Sequence, residues 1–191
     1  MNYFINLRNL KITFNSSFMK SVILIRHAKS SWDFPLSDID RPIAQRGIQD
    51  ALLISNHISA FLPPKFIVWS SVARRAKETS YIFAQNLVFP MESITFREDL
   101  YTFDVKELTR IIRSCEDCYQ NLILFGHNNA ITKFVNMFGD KPIENVPTSG
   151  VVQIDFLNEH WKDINKGITQ KLFFPKQIRA YNKDEYIHLI S

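Results

Sequence analysis

The chain has 191 residues, of which 46% are hydrophobic and 22% are charged, a profile that fits one globular domain and excludes a disordered protein. Its 5 glycines argue against a glycine-rich phosphate loop, so any phosphate site has to be built from side chains. The net charge of +4 would suit a nucleic-acid-binding protein, but the basic residues are scattered with acidic residues between them. We therefore assign the charge to a solvated surface and a few functional arginines.

The first 18 residues are predicted to precede the folded domain. They contain Arg8 and Lys11 but no acidic residue and no continuous apolar segment, so they do not resemble a secretory signal peptide. Met19 stands directly before a strand-like run. We therefore expect translation to begin at Met19, residues 1–18 to be an upstream extension, and residues 19–191 to form a single domain.

In chain order, the spacing of apolar residues predicts the following elements. They are a strand at 21–25, a long polar loop at 28–46, a helix at 47–61, a strand at 66–69, a helix at about 73–86, an edge strand at 92–96, a helix at 105–113, a strand at 121–125, a helix with an apolar face through 131–138, and strands at 151–156 and 168–174. Because strands alternate with helices, we predict an α/β fold with three layers, α/β/α, around a mostly parallel sheet.

Membrane, metal and disulfide chemistry find little support in the sequence. No apolar run approaches the roughly 20 residues that a membrane-spanning helix needs. Cys115 and Cys118 form a single CxxC with no second metal-binding pair, and one close pair does not make a disulfide framework. We interpret both cysteines as incidental and predict a cytoplasmic protein with no cofactor, no metal and no membrane or nucleic-acid partner.

Residues far apart in the sequence are expected to meet at one edge of the sheet. Arg26 and His27 follow the first strand, Arg75 lies just after the second, and His127 follows the strand at 121–125. In open α/β sheets, ligands bind outside the carboxyl ends of the strands. Arg-His or Gly-His at one strand end is usually a surface or packing feature, so the prediction depends on this convergence.

Together these four side chains can carry out phosphoryl transfer. Two guanidiniums can bind a phosphate through paired donors, and the same positive charge keeps nearby imidazoles neutral. A neutral His27, with one ring nitrogen bonded to a backbone carbonyl, can attack phosphorus through the other. His127 can then donate to a nonbridging oxygen. This route to a phosphohistidine needs no metal.

Four segments resemble motifs of the histidine phosphatase superfamily, which has the phosphoglycerate-mutase-like fold. RHAKSSW at 26–32 is similar to its RHG or RHA motif, SSVARRAKET at 70–79 to its S-x-x-x-R-A-x-x-T pattern, and LILFGHNN at 122–129 to its second catalytic histidine turn. DIDRPIAQRG at 38–47 resembles a segment of the short, SixA-like phosphohistidine phosphatase branch. The resemblance covers roughly residues 19–176.

The resemblance implies a role for each matching residue. His27 would be the nucleophile, Arg26 and Arg75 would bind phosphate with His127, and Arg41 would add a phosphate or substrate contact. Arg74 competes with Arg75 for the second arginine, but the spacing to the motif threonine favours Arg75. For the general acid, Asp38 is chosen over Asp33, Asp40, Glu98 and Asp99. The alternative is an Asp38 that is solvated or that pairs with Arg41 or Arg46.

The implied activity is that of a phosphatase acting on phosphohistidine in proteins or on small phosphoesters. The chain has little room for the insertions with which mutases of the superfamily enclose phosphoglycerate, so a mutase is the alternative. A non-catalytic phosphate-binding module is a second alternative. It predicts that one of the four central residues is lost, but all four are present.

Overall fold

A computed structural model describes residues 19–33 and 35–181 of the chain. In chain order its elements are β1 (Lys20–Arg26), α1 (Gln45–Ile58), β2 (Ile67–Ser71), α2 (Arg74–Leu87), β3 (Ile94–Arg97), α3 (Val105–Arg113), β4 (Asn121–Gly126), α4 (Ala130–Phe138), β5 (Val151–Phe156) and β6 (Ile168–Phe173). Residues 175–181 are also helical. Each predicted element is present, with its ends displaced by at most three residues. The predicted extension at 1–18 lies outside the described residues.

The six strands form one mixed sheet in the order β3-β2-β4-β1-β5-β6. The four strands from β3 to β1 are parallel to one another, and β5 runs antiparallel to both of its neighbours. The prediction of a mostly parallel sheet is therefore confirmed, with β5 as the reversed strand. β5 lies between β1 and β6, and its Val152, Ile154 and Phe156 pack in the same core cluster as α3 and α4.

Helices cover both faces of the sheet and divide the core in two. Side chains alternate along β1, so that Val22 and Leu24 pack with α3 and α4, whereas Ile23 and Ile25 pack with α1 and α2. All four are buried. A strand that is buried on both faces needs the continuous apolar run that the sequence shows here, and the predicted three-layer α/β/α fold is confirmed.

The register between β1 and β4 brings two histidines to the same place. Arg26 pairs with Gly126, and the His27 backbone N–H donates to the Gly126 carbonyl over 3.0 Å. His27 directly follows Arg26, and His127 directly follows Gly126. The two histidines therefore leave the sheet side by side. Within the described residues, no helix is both long enough and apolar enough to cross a membrane.

Candidate active site

A cavity of about 310 Å³ opens at the carboxyl edge of the sheet. The side chains that surround it come from the ends of β1 and β4, the start of α2 and the loops between them. Its wall consists of Arg26, His27, Lys29, Ser30, Trp32, Asp38, Arg41, Arg75, Phe103, Asn128 and Thr148. His127 lies behind this wall, only 1% exposed, with its ring centroid 5.1 Å from that of His27.

His27 is held as a neutral imidazole with its Nε2 atom toward Arg75. Its Nδ1 atom lies 2.8 Å from the carbonyl of Ala28, so Nδ1 carries the proton and donates it to that carbonyl. Nε2 accepts a hydrogen bond from Arg75 Nε over 3.2 Å. Burial lowers the pKa of His27 to about 3, and the positive charge of Arg75 adds to the effect. The Nε2 lone pair is therefore present at neutral pH.

Arg75 links the two histidines. Its guanidinium is 1% exposed, and its Nη2 atom lies 3.4 Å from His127 Nδ1. Arg74, the competing arginine, has a half-exposed side chain that pairs with Glu78 over 2.7 Å. The structure thus places Arg75 rather than Arg74 in the cavity wall. The motif spacing distinguished the two because Thr79 sits one helical turn beyond Arg75.

The ring of His127 is fixed by a serine of the same motif. Its Nε2 atom lies 2.8 Å from Ser71 Oγ, and the backbone N–H of Ala73 donates to this hydroxyl over 3.3 Å. Arg75 Nη2 can only donate, so His127 Nδ1 accepts from it. The ring proton of His127 is then on Nε2, which donates to Ser71 Oγ. Burial, together with the adjacent His27, lowers the pKa of His127 to about 2.

One donor group of the Arg26 guanidinium has protein partners, and another has none. Its Nη1 atom donates to the carbonyl of Val146 over 2.8 Å and more weakly to Asn145 over 3.4 Å. Its Nε atom is buried and has no partner among the described residues. A buried donor without a partner costs free energy, and such a group on a cavity wall is common where a ligand supplies the missing acceptor. Burial also lowers the pKa of Arg26.

Asp38 is the centre of a network of side chains in the substrate-free site. Its carboxylate accepts hydrogen bonds from Arg41 over 2.7 Å, from Arg75 Nη2 over 2.9 Å and from the Tyr101 hydroxyl over 2.6 Å. Arg75 Nη1 also donates to the Asp38 carbonyl. Burial alone would raise the pKa of Asp38, but these hydrogen bonds hold it well below its usual range. Asp38 is thus ionised, whereas a general acid has to carry a proton.

Arg41 lies in the wall but its donors are directed at protein groups. Its Nη1 atom donates to Ser30 Oγ over 2.7 Å, and its Nε and Nη2 atoms both donate to Asp38. The flat face of its guanidinium lies 3.6 Å from the ring of Trp32. Arg41 therefore positions Asp38 and Trp32 in this state, and a phosphate contact through Arg41 stays a prediction.

The other carboxyl groups considered as acids lie outside the cavity wall. Asp33 accepts from Ser31 over 2.5 Å, and Asp40 accepts from Ser37 over 2.6 Å. Asp99 pairs with Arg97, and Glu98 does not line the cavity. Among the residues that the sequence offered as acids, Asp38 is the one that the structure brings to the site.

Three aromatic residues at the site were missed by the sequence argument. Tyr101 and Phe103 cover the ring of His127, each at a centroid distance of 5.4 Å, and Trp32 stands at the mouth of the cavity with 77% of its surface exposed. Trp32 is the last residue of the RHAKSSW segment, but the family resemblance implies no role for it. Tyr101 and Phe103 lie in a loop, whose path apolar spacing does not predict.

Within residues 19–33 and 35–181, no three His, Cys, Asp or Glu side chains are grouped as metal ligands would be. Cys115 is buried, Cys118 is exposed, and both are free thiols. Burial raises the pKa of Cys115 to about 12, so it is an inert thiol rather than a nucleophile.

Residues 22–109 match the family model of the histidine phosphatase superfamily, branch 1. An uncharacterised protein of Mycobacterium tuberculosis is 28% identical over 153 residues, which span 75% of this chain and 93% of the relative. An uncharacterised chloroplastic protein of Arabidopsis thaliana is 40% identical over 68 residues, 34% of this chain and 30% of its own. The chain is thus similar to the histidine phosphatase superfamily over residues 22–109, a little under half of its length.

The chain has the fold of the SixA proteins. It superposes on the SixA protein of Nakamurella multipartitia with a TM-score of 0.71 at 17% identity, covering 82% of this chain and 96% of the other. A protein histidine phosphatase SixA in complex with tungstate gives 0.70 at 18% identity, covering 83% and 99%. The SixA protein of Agrobacterium tumefaciens gives 0.64 at 24% identity, covering 72% and 92%.

Proposed function

We propose that this protein is a metal-independent phosphatase that forms a covalent phosphohistidine on His27. The match of residues 22–109 to the histidine phosphatase superfamily supports a phosphatase activity. The observation that carries the proposal is the state of His27, whose Nδ1–H is bonded to the Ala28 carbonyl while its Nε2 lone pair lies beside Arg75. An imidazole with one nitrogen fixed and the other free of a proton is a competent nucleophile.

In the first step, the Nε2 lone pair attacks the phosphorus of the bound substrate. The bond from phosphorus to the leaving atom breaks, and the leaving atom keeps its electron pair and takes up a proton. Arg26 and Arg75 neutralise the phosphoryl oxygens, and His127, once its ring proton has moved to Nδ1, donates to one of them. In the second step, water attacks the phosphohistidine, which releases inorganic phosphate and restores neutral His27.

The ionised state of Asp38 bears on the substrate. The three donors on its carboxylate keep it without a proton, so Asp38 is a weak source of a proton for a poor leaving group. A phosphoramidate nitrogen is basic and needs less help than an alkoxide. The site therefore favours phosphohistidine in a protein, with small activated phosphoesters as secondary substrates. SixA structures are among those that the fold resembles.

The proposal is tested by hydrolysis of p-nitrophenyl phosphate and of a chemically phosphorylated histidine protein, each with and without EDTA. We expect activity on both in EDTA and a loss of at least about a thousandfold in His27→Asn, since the nucleophile is removed. His160→Asn, which changes an exposed histidine far from the cavity, should keep wild-type activity.

The intermediate gives a second, independent readout. Rapid acid-free quenching of wild type with labelled substrate should trap a phosphoryl group that is stable to alkali and labile to acid, and His27→Asn should trap none. Activity that disappears in EDTA and returns with a divalent metal, or full activity in His27→Asn, would show that the proposed mechanism is wrong.

A further inference from the structure

A second cleft, of about 290 Å³, adjoins the candidate active site. Lys29 and Thr148 line both hollows, so the second cleft continues the first along the surface. Its wall consists of Lys29, Arg46, Asp50, Pro147, Thr148, Pro175, Lys176 and Arg179. None of these residues except Lys29 and Thr148 takes part in the wall of the phosphate cavity.

The charges of this basic cleft are unbalanced. It holds four cationic side chains and one carboxylate, that of Asp50, which is buried. Arg179 pairs with Asp50, and Arg46 lies 4.0 Å from it with two thirds of its own side chain exposed. Lys29 and Lys176 are exposed, and neither makes a side-chain hydrogen bond or ion pair with a described residue. Among residues 19–33 and 35–181, the cleft therefore presents positive charge that no carboxylate neutralises in full.

Backbone contacts fix the basic cleft relative to His27. The Ala44 N–H donates to the Lys29 carbonyl over 2.7 Å, which places the first turn of α1, and with it Arg46, next to Lys29. On the other side, the N–H of Ser149 donates to the carbonyls of Arg26 and His27, so Thr148 is held by the same strand end. An anion in the basic cleft would thus lie at a set distance from a phosphate at His27.

The opposite side of the cavity is open and aromatic. Trp32 and Phe103 are 77% and 48% exposed, and both line the phosphate cavity. A small-molecule site encloses most of its ligand, whereas exposed aromatic and arginine side chains are typical of protein interfaces. Together, these aromatic residues and the basic cleft form one continuous face on which a protein can lie.

We infer that the basic cleft binds acidic side chains next to the phosphorylated residue of a protein substrate. This inference rests on the proposed function and specifies its substrate class, a phosphoprotein with Asp or Glu flanking the phosphorylated site. The phosphoryl group enters the cavity between Arg26 and Arg75, while a flanking carboxylate meets Arg46 and Lys176. Exposed ion pairs of this kind contribute little stability but select the partner.

The test uses two phosphohistidine peptides of identical length, one with Asp and Glu around the phosphorylated residue and the other with Asn and Gln. At low salt we expect kcat/KM to be about fivefold higher for the acidic peptide, as two exposed ion pairs would give. The increase should come from a lower KM rather than from a higher kcat. The preference should fade at high salt. In Arg46→Gln/Lys176→Gln the ratio of the two values should fall to about one.

The matched control is Lys65→Gln/Lys162→Gln, which removes the same charge from exposed positions at the opposite edge of the sheet. It should keep the wild-type ratio. Equal kcat/KM for both peptides in wild type, or an equal loss of preference in the control, would overturn the inference.

A binding measurement separates this inference from the proposed activity. The dissociation constants of both peptides are measured with His27→Asn protein, which does not consume them. Tighter binding of the acidic peptide that depends on Arg46 and Lys176 supports the basic cleft even if no turnover is found. Equal binding of both peptides overturns the inference, whatever the activity.

Discussion

At the scale of single residues, the candidate site contains an ionised carboxylate, that of Asp38. The carboxylate of Asp38 receives Arg75 Nη2 over 2.9 Å, and Arg75 is an arginine that a phosphate would also need. An incoming phosphate dianion must therefore share or displace this contact. Like charges so close repel each other, even where solvent weakens the effect.

Replacing Asp38 should consequently strengthen phosphate binding while it weakens catalysis. For Asp38→Asn we expect the inhibition constant of inorganic phosphate to fall about tenfold, equivalent to about 1.4 kcal/mol, because the competing charge is gone. Turnover should fall, since the network that orients Arg75 and Tyr101 is altered. The measurement is competitive inhibition of p-nitrophenyl phosphate hydrolysis at fixed pH.

The control for this substitution is Asp40→Asn, which removes an exposed carboxylate that bonds to Ser37. It should leave the inhibition constant unchanged. Weaker phosphate binding in Asp38→Asn would show instead that the carboxylate mainly holds Arg75 in its binding position.

At the scale of secondary-structure elements, the ends of strands were the most predictable part of the site. The apolar runs of β1 and β4 identify buried neighbouring strands, and their pairing places His27 beside His127 without any information on side chains. The second arginine was also predictable, because Thr79 marks its helix face. Thr79 Oγ1 accepts from the Ala28 N–H over 2.9 Å and so ties α2 to the loop after β1.

The sequence predicted where the loops lie but not which residues their side chains contact. Tyr101 bonds to a carboxylate 63 positions earlier in the chain, and no local pattern specifies such a contact. The ionisation of Asp38 was unpredictable for the same reason, since it depends on three donors from two loops and a helix. Sequence reasoning chose Asp38 as a protonated acid and offered an ion pair with Arg41 or Arg46 as the alternative, and the structure shows the pair with Arg41.

The start of α1 depends on a glycine. A Cβ atom at Gly47 would overlap the backbone carbonyl of Lys29, and the Lys29 N and C atoms are also close. Backbone atoms give way less readily than the end of a side chain. Only glycine therefore allows the first turn of α1 to pack on the segment that follows His27.

Gly47→Ala should for this reason destabilise the protein, although alanine is the better helix former. We expect a loss of about 1–3 kcal/mol in the free energy of unfolding, as in other overpacked sites, with a higher KM because Lys29 is displaced. Urea unfolding and steady-state kinetics measure the two effects. Gln49→Ala, at an exposed position in the same helix, should be nearly neutral, and a stabilised Gly47→Ala would contradict the packing argument.

At the scale of the whole molecule, the two buried histidines couple the site to stability. In the folded protein their pKa values are lowered to about 3 for His27 and about 2 for His127, whereas unfolded histidines titrate near pH 6.5. As the pH falls below about 6.5, the unfolded chain therefore takes up a proton at each position and the folded chain does not. The unfolded state gains stability, and the free energy of unfolding decreases with falling pH down to the folded pKa values.

The free energy of unfolding should thus decrease between pH 7 and pH 5, by about 2 kcal/mol at most for each of these histidines. Urea unfolding at several pH values measures this dependence. His127→Asn removes one of the two groups and should make the pH profile flatter by that histidine's share. Gln49→Ala, which changes an exposed side chain of α1 that has no titratable group, should leave the slope as it is. Parallel profiles for wild type and His127→Asn would mean that His127 titrates alike in both states. Burial would then not be what keeps the His127 imidazole neutral. The argument that burial keeps the Nε2 lone pair of His27 free of a proton would fail in the same way.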